Sequence, residues 1–220
     1  MLVSSTLVSA AKGREQILYG AEASITAAQA LYQRAKSDPT GIAFVVGNNA
    51  RTYGWLAEKT ARLACGFIAR SIKRGDRILL HLPNRAEFVI ASYACLHIGA
   101  VAVPLKTRLN TAELSLLLKR LRPALYIGDA DFHGEVDRIE YSVLPPGRRI
   151  VIGYTSENHA QPWVDLLNDV ESAPPTVTAD VDDPAVLLAT MDASGSTSCA
   201  ILTHAEFVAL FGLPYLYGGL

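Results

Sequence analysis

Eleven consecutive positions, Ala189 to Cys199, carry Thr190, Ser194, Gly195, Ser196, Thr197 and Ser198 directly after the apolar run Ala185-Val186-Leu187-Leu188. A stretch of small and hydroxyl residues leaving a strand can cradle a phosphate, because unhindered backbone N–H groups and hydroxyls can all point at the anion. The spacing matches neither the Gly-Lys-Ser/Thr phosphate loop nor Gly-x-Gly-x-x-Gly. It also lacks the Gly-x-Ser-x-Gly of a nucleophile elbow. On residue types alone, a plain connection and a phosphate-binding loop both stay open. His81, His97, His133, His159 and His204 share no ligand spacing with one another or with Cys65, Cys95 and Cys199, so no metal site is expected. No residue is assigned as catalytic. His204, at the start of an apolar stretch with no identifiable carboxylate partner, is read as positioning a helix rather than moving a proton.

The elements around this stretch alternate. Ser24 to Ala35 reads as a helix, Ile42 to Val46 and Arg51-Thr52-Tyr53 as a hairpin across Gly47-Asn48-Asn49, and Leu56 to Ile72 as an amphipathic helix stopping before Gly75. Asp76 to Leu82 then reads as a strand, Glu87 to Ile98 as a helix apolar nearly all round, and Ala100 to Val103 as a strand closed by Pro104. Thr111 is expected to cap a helix through Arg120. Strands at Ala124 to Ile127 and Arg149 to Ile152 flank a weaker helix from Phe132. Residues 153–183, rich in Pro, Ser, Thr and Asp, read as a surface connection with one helical turn or two at Trp163 to Asn168. The alternation predicts an α/β fold, a mostly parallel sheet with helices on both faces. Such sheets bind ligands beyond the carboxyl ends of their strands.

The chain has 220 residues, half of them hydrophobic, which excludes disorder for most of its length. Its net charge of -1 conceals a split: residues 1–149 carry 20 Lys and Arg against 12 acids, or +8, whereas residues 150–220 carry nine acids and no Lys or Arg, or -9. The last third cannot offer an anion a lysine or arginine of its own. The basic residues of the first part are interleaved with acids, so no nucleic-acid surface is expected. No apolar run is long enough to cross a bilayer and no signal peptide is apparent, which makes the cytoplasm the expected location. Three cysteines without Cys-x-x-Cys spacing suggest no disulfide framework.

Leu96 to Leu114, read as LHIGAVAVPLKTRLNTAEL, resembles the "GAV-x-VPLNPRLT-x-x-EL" stretch of AMP-forming acyl-CoA synthetases, members of the adenylate-forming superfamily. Arg51-Thr52-Tyr53-Gly54-Trp55-Leu56 resembles that family's "TY-x-EL". Gly75-Asp76-Arg77-Ile78 with Leu82-Pro83-Asn84 resembles its "GDRV…LPN", and Asp182 to Leu188 resembles the "DDPA-x-L" lead-in to its phosphate loop. Order and spacing agree from about Thr26 to His204. The resemblance implies the first subdomain of such an enzyme, so that residues 1–220 form a partial AMP-binding domain without the catalytic-lysine region.

It also implies ATP-dependent activation of a fatty or aryl carboxylic acid to an acyl-adenylate and then a thioester, with ATP/AMP, Mg2+ and coenzyme A as cofactor and co-substrates. Thr190, Ser194, Gly195, Ser196, Thr197 and Ser198 would lie nearest the phosphates. The loop departs from the family's "YTSGTTGKPKG": Met191 stands for a serine, Asp192 for a glycine, Ser196 and Ser198 for the two basic residues, and Cys199 for the last glycine. Weak or absent activity of this chain alone is therefore expected. The alternative is a non-catalytic interaction module that self-associates or pairs with another synthetase chain through an uncovered sheet edge.

Overall fold

Thr26 begins the first helix, α1 (Ala27–Ser37), in a capping box: its hydroxyl accepts from the Gln29 N–H while the Gln29 side chain accepts from the Thr26 N–H. The structure is a computed structural model and describes residues 25–153, 160–168, 179–191 and 197–216. The Ser24 start expected from sequence thus lies outside the described residues. A two-stranded antiparallel ribbon, β1 (Ile42–Val46) and β2 (Asn49–Thr52), follows. Tyr53 does not extend β2 as expected; it opens α2 (Tyr53–Ala69), because the Thr52 hydroxyl caps that helix through the Trp55 N–H.

The main sheet is assembled from β3 (Arg77–His81), α3 (Ala86–Ile98), β4 (Val101–Pro104), α4 (Thr111–Leu121), β5 (Leu125–Asp129), α5 (His133–Asp137), β6 (Arg149–Ile152), β7 (Gln161–Pro162), α6 (Asp165–Asn168), β8 (Pro184–Met191), β9 (Thr197–Thr203) and α7 (His204–Leu216). Its strand order is β7-β6-β5-β3-β4-β8-β9. Every pairing is parallel except β8 with β9. The mostly parallel α/β architecture expected from the alternation is therefore present, with β3 at the point where the winding reverses: α3 carries the chain to β4 on one side, and α4 carries it back to β5 on the other.

Period-two alternation along β3 feeds two cores. Ile78 and Leu80 pack with Leu63, Phe67 and Ala94 under α1, α2 and α3. Leu79 packs with Val103, Leu114, Leu118 and Tyr126 under α4 and α5. α3 is apolar all round because one side meets the sheet and another meets α1 and α2; it ends at Gly99, whose φ of 72° suits glycine. α4 is capped by Asn110 in a reciprocal box with Glu113, and Thr111, the expected cap, is its first helical residue. Two strands were missed from sequence: β9, within and after the stretch read as a loop, and β7, which adds Gln161 and Pro162 to the edge of β6 inside the segment read as connection.

Candidate active site at the carboxyl edge

β8 runs parallel to β4, with Ala102 opposite Val186, so it delivers Met191 to the same edge as the carboxyl ends of β3, β4 and β5. β9 then returns antiparallel, pairing Ser198 with Thr190 and Thr197 with Met191. The sequence reading placed all of Ala189 to Cys199 in a loop. Instead the strand register runs through Met191 and resumes at Thr197, because the alternation of Leu187, Ala189 and Cys199 toward the α4 side of the core continues the ladder. Thr190 and Ser198 thus lie opposite each other on strands and are exposed, and Thr197 begins β9. Ser194, Gly195 and Ser196, with Asp192, fall at 192–196, outside the described residues.

Beyond β9 the Thr203 hydroxyl accepts from the Glu206 N–H, and the Glu206 carboxylate accepts from the Thr203 N–H, so a second capping box starts α7. His204 follows, fully buried, with neither ring nitrogen hydrogen-bonded. Its backbone N–H donates to the Asp183 carbonyl. Burial holds its pKa below the usual imidazole value, against the opposing charge of Asp183. A buried neutral ring with no bonded carboxylate seats the helix and has no acid or base to exchange a proton with.

A second group at this edge went unnoticed in the sequence because its members are 45 residues apart. His81, the last residue of β3, has Nδ1 2.7 Å from the Tyr126 hydroxyl and Nε2 3.2 Å from the Thr107 carbonyl. A carbonyl only accepts, so Nε2 carries the proton and Nδ1 accepts from the phenol. The ring stacks on Phe132 at 4.7 Å. Burial lowers the His81 pKa, its bond to Thr107 opposing, and pushes the Tyr126 phenol up. Both nitrogens are committed, so the imidazole ties the segment after β4 to β3 and β5. Beside it Arg85 bridges Glu87 at 2.8 Å and the buried Asp129, fixing the start of α3 over the end of β5. Among the described residues no three His, Cys, Asp or Glu gather where they could hold a metal ion, and no helix is long and apolar enough to cross a membrane.

An antiparallel strand pair thus presents the exposed Thr190 and Ser198 on a parallel sheet whose carboxyl edge is where ligands bind in folds of this class. Comparison with known proteins identifies the family. The family model described as AMP-binding enzyme matches residues 31–214. A medium-chain fatty-acid–CoA ligase of Escherichia coli (strain K12) is 31% identical over 205 residues, covering 89% of this chain and 35% of its own. A feruloyl-CoA synthase of an Amycolatopsis species is 30% identical over 172 residues, 78% of this chain and 32% of its own. The solved Mycobacterium tuberculosis fatty acyl CoA synthetase superposes with a TM-score of 0.68 at 30% identity, over 81% of this chain and 34% of that one. A putative long-chain-fatty-acid CoA ligase from Rhodopseudomonas palustris shares the fold with a TM-score of 0.76 at 23% identity, over 90% of this chain and 49% of that one. The chain spans about a third of the length of the curated relatives it matches. On the family match and the shared architecture, this chain belongs to the AMP-binding enzyme family.

Proposed function

We propose that the chain supplies the first part of the nucleotide-handling domain of an AMP-forming acid–CoA ligase acting on a fatty or aryl acid in the cytoplasm, and that alone it engages ATP weakly. In the reaction of such a ligase the carboxylate attacks the α-phosphate, pyrophosphate leaves, and the thiol of coenzyme A then displaces AMP to give the thioester. Relatives named for medium-chain fatty acids and for ferulate support an acid substrate without choosing its chain. Free Cys65, Cys95 and Cys199 accord with a reducing compartment. The observation that supports the reading is the β8–β9 pair, which holds the exposed Thr190 and Ser198 opposite each other, with Met191 and Thr197 next to them.

Thr190, Thr197 and Ser198, with Ser194, Gly195 and Ser196 between them, would offer hydroxyls and backbone N–H groups to the phosphates; Mg2+, when bound, would neutralise phosphate charge. The weakness follows from charge. By its alignment with the family's loop, Asp192 would bring a carboxylate close to the phosphates, costing ~4 kcal/mol against one phosphate charge at ~4 Å and an effective dielectric near 20, before screening. No Lys or Arg follows Arg149 to offset it. Titration calorimetry is expected to show no affinity for Mg-ATP beyond that for magnesium tripolyphosphate, and an adenosine-dependent low-micromolar affinity refutes the reading. Pyrophosphate exchange with a panel of carboxylic acids should likewise be null. Asp192→Gly with Ser198→Lys should then strengthen ATP binding by at least tenfold.

A second reading rests on the surface of the same strands. β9 is an edge strand, and Leu188 and Ile201 on β8 and β9 are 42% and 47% exposed. An apolar edge of this kind suits pairing with a second chain. Sedimentation velocity reads it directly: a monomer at high micromolar concentration counts against self-association.

A further inference from the structure

The opposite edge of the sheet holds a different site. At the amino ends of β3, β5 and β6 lies a cleft of about 410 Å³, lined by Arg70, Lys73, Asp76, Arg122 and Arg148 among others. The four cations come from three separate places: the turn after α2, the end of α4, and the turn that enters β6. The first-order alternative is that Arg70 and Arg122, as C-caps of α2 and α4, merely answer the helix dipoles. Two helix ends contribute only about half an elementary negative charge each. Against four cations and Asp76, the cleft therefore keeps a net charge of about +2.

The helix-end carbonyls are also already satisfied. Those of Phe67 and Ile68 accept from the N–H groups of Arg70, Ser71 and Ile72, and that of Leu118 accepts from the Arg122 N–H. Those of Leu121 and Arg122 accept from the guanidinium of Arg77. The cleft's cations are left over from capping. Arg34, Arg62, Arg74, Arg85 and Arg138 all meet carboxylates elsewhere in the fold, whereas Lys73, Arg122 and Arg148 form no ion pair among the described residues. Arg70 is held by the side-chain oxygen of Gln161 at 3.1 Å, which orients it without cancelling its charge.

The backbone points the same way. Ser71 (φ 60°) and Arg122 (φ 44°) are the two non-glycine residues with positive φ among those described, and both line this cleft. A helix C-cap in that conformation ordinarily takes glycine; α4 keeps an arginine there. The volume is that of an ordinary small-ligand site. β3 is five residues long, so the cleft lies roughly 16 Å from the carboxyl ends of β3, β4 and β5.

We propose that this amino-edge cleft binds a small polyphosphorylated anion, independently of the nucleotide loop. Its concave form and its cations drawn from three elements favour a soluble ligand over a membrane headgroup. The test uses the whole 220-residue chain and inorganic tripolyphosphate as the probe. Calorimetry should show binding that weakens as KCl is raised from 50 to 300 mM, and Lys73→Glu with Arg148→Glu should reduce the affinity at least tenfold. The control pair Lys36→Glu with Lys119→Glu, outside the cleft with the same charge change, should leave it unchanged. On the unaltered chain, tripolyphosphate should slow phenylglyoxal labelling of Arg122 and Arg148, read by peptide mass spectrometry. The proposal is overturned if the wild-type chain does not bind the probe, if the cleft pair and the control pair lose affinity equally, or if the two arginines label at the same rate with probe present. Binding to vesicles carrying a phosphoinositide, with none to free tripolyphosphate, overturns it as well.

Discussion

Replacing Arg149 with methionine should cost this fold about 3–4 kcal/mol. Arg149 is fully buried at the first position of β6, an unusual place for a guanidinium. Its Nε donates to the Leu144 carbonyl at 2.8 Å, and its two terminal nitrogens donate to the carbonyls of Val136 at 3.0 Å and Ile139 at 2.7 Å. The same group sits 5.0 Å over the ring of Tyr141 and 3.8 Å from the Asp137 carboxylate. One side chain thereby ties α5 and the turns that follow it to the sheet.

The magnitude follows from what the substitution leaves behind. The Val136 carbonyl keeps the Ile139 N–H at 2.9 Å, so it is not orphaned. The Ile139 and Leu144 carbonyls lose their guanidinium donors, at about 1–3 kcal/mol each. Asp137 is partly exposed and distant, and adds little. Methionine fills similar volume, which removes a cavity contribution from the comparison. The sum of ~2–6 kcal/mol brackets the ~3–5 kcal/mol typical of breaking a buried charged contact from one side. With a urea slope near 2 kcal/mol per molar, the denaturation midpoint should fall by roughly 1.5–2 M. Arg149→Lys, which keeps the charge but cannot reach three carbonyls, should lose about half as much. The adjacent, exposed Arg148→Met supplies the reference, with a change under ~0.5 kcal/mol. A midpoint drop for Arg149→Met smaller than ~0.5 M would show that the three hydrogen bonds do not hold the segment.

Two further outcomes are expected. Gly66 lies where an added Cβ would come 2.2 Å from the Leu166 carbonyl oxygen, a backbone atom that cannot rotate away; Gly66→Ala should lose ~1–2 kcal/mol despite its gain in helix propensity, with an altered Trp163 emission, and a rise in Tm would contradict the close approach of α2 to α6. His81 and His204 both have folded-state pKa values below their unfolded value near 6.5, because burial penalises the charged ring. The unfolded chain therefore takes up protons that the folded chain refuses, so stability is complete above pH ~6.5 and falls below it by at most ~1.4 kcal/mol per pH unit for each histidine. Urea titrations at pH 7.5, 6.5 and 5.5 should show that decline, and its absence would mean that the rings are protonated in the folded protein.

The layers of this fold were legible in the sequence because each rests on a local signal: short apolar runs broken by Gly or Pro for the strands, and helical spacing at Leu56, Leu63 and Phe67 for α2. What escaped was non-local. β7 holds two residues and exists only because β6 offers it a free edge. β9 was hidden by its composition, since Thr197, Ser198 and Cys199 look like loop until β8 supplies the partner register. The same limit applies to the site. Residue types and family resemblance marked Thr190 to Ser198, but the tie from His81 to Tyr126 and Thr107 depends on the reversal of winding at β3, which brings β4 and β5 to its two sides.

Charge shows where counting residues helps and where it misleads. Counting along the sequence gives a +8 first part and a -9 remainder that holds no Lys or Arg. Reading the first part as evenly solvated overlooked that folding gathers Arg70, Lys73, Arg122 and Arg148, up to 78 positions apart, at one cleft on the amino edge. In a parallel sheet the two edges are chemically separate surfaces about one strand length apart. At the carboxyl edge Arg85 is neutralised by Glu87 and Asp129, whereas the amino edge gathers four cations around Asp76 alone, so the proposed polyphosphate cleft lies at the end of the sheet away from the carboxyl ends of β3, β4 and β5.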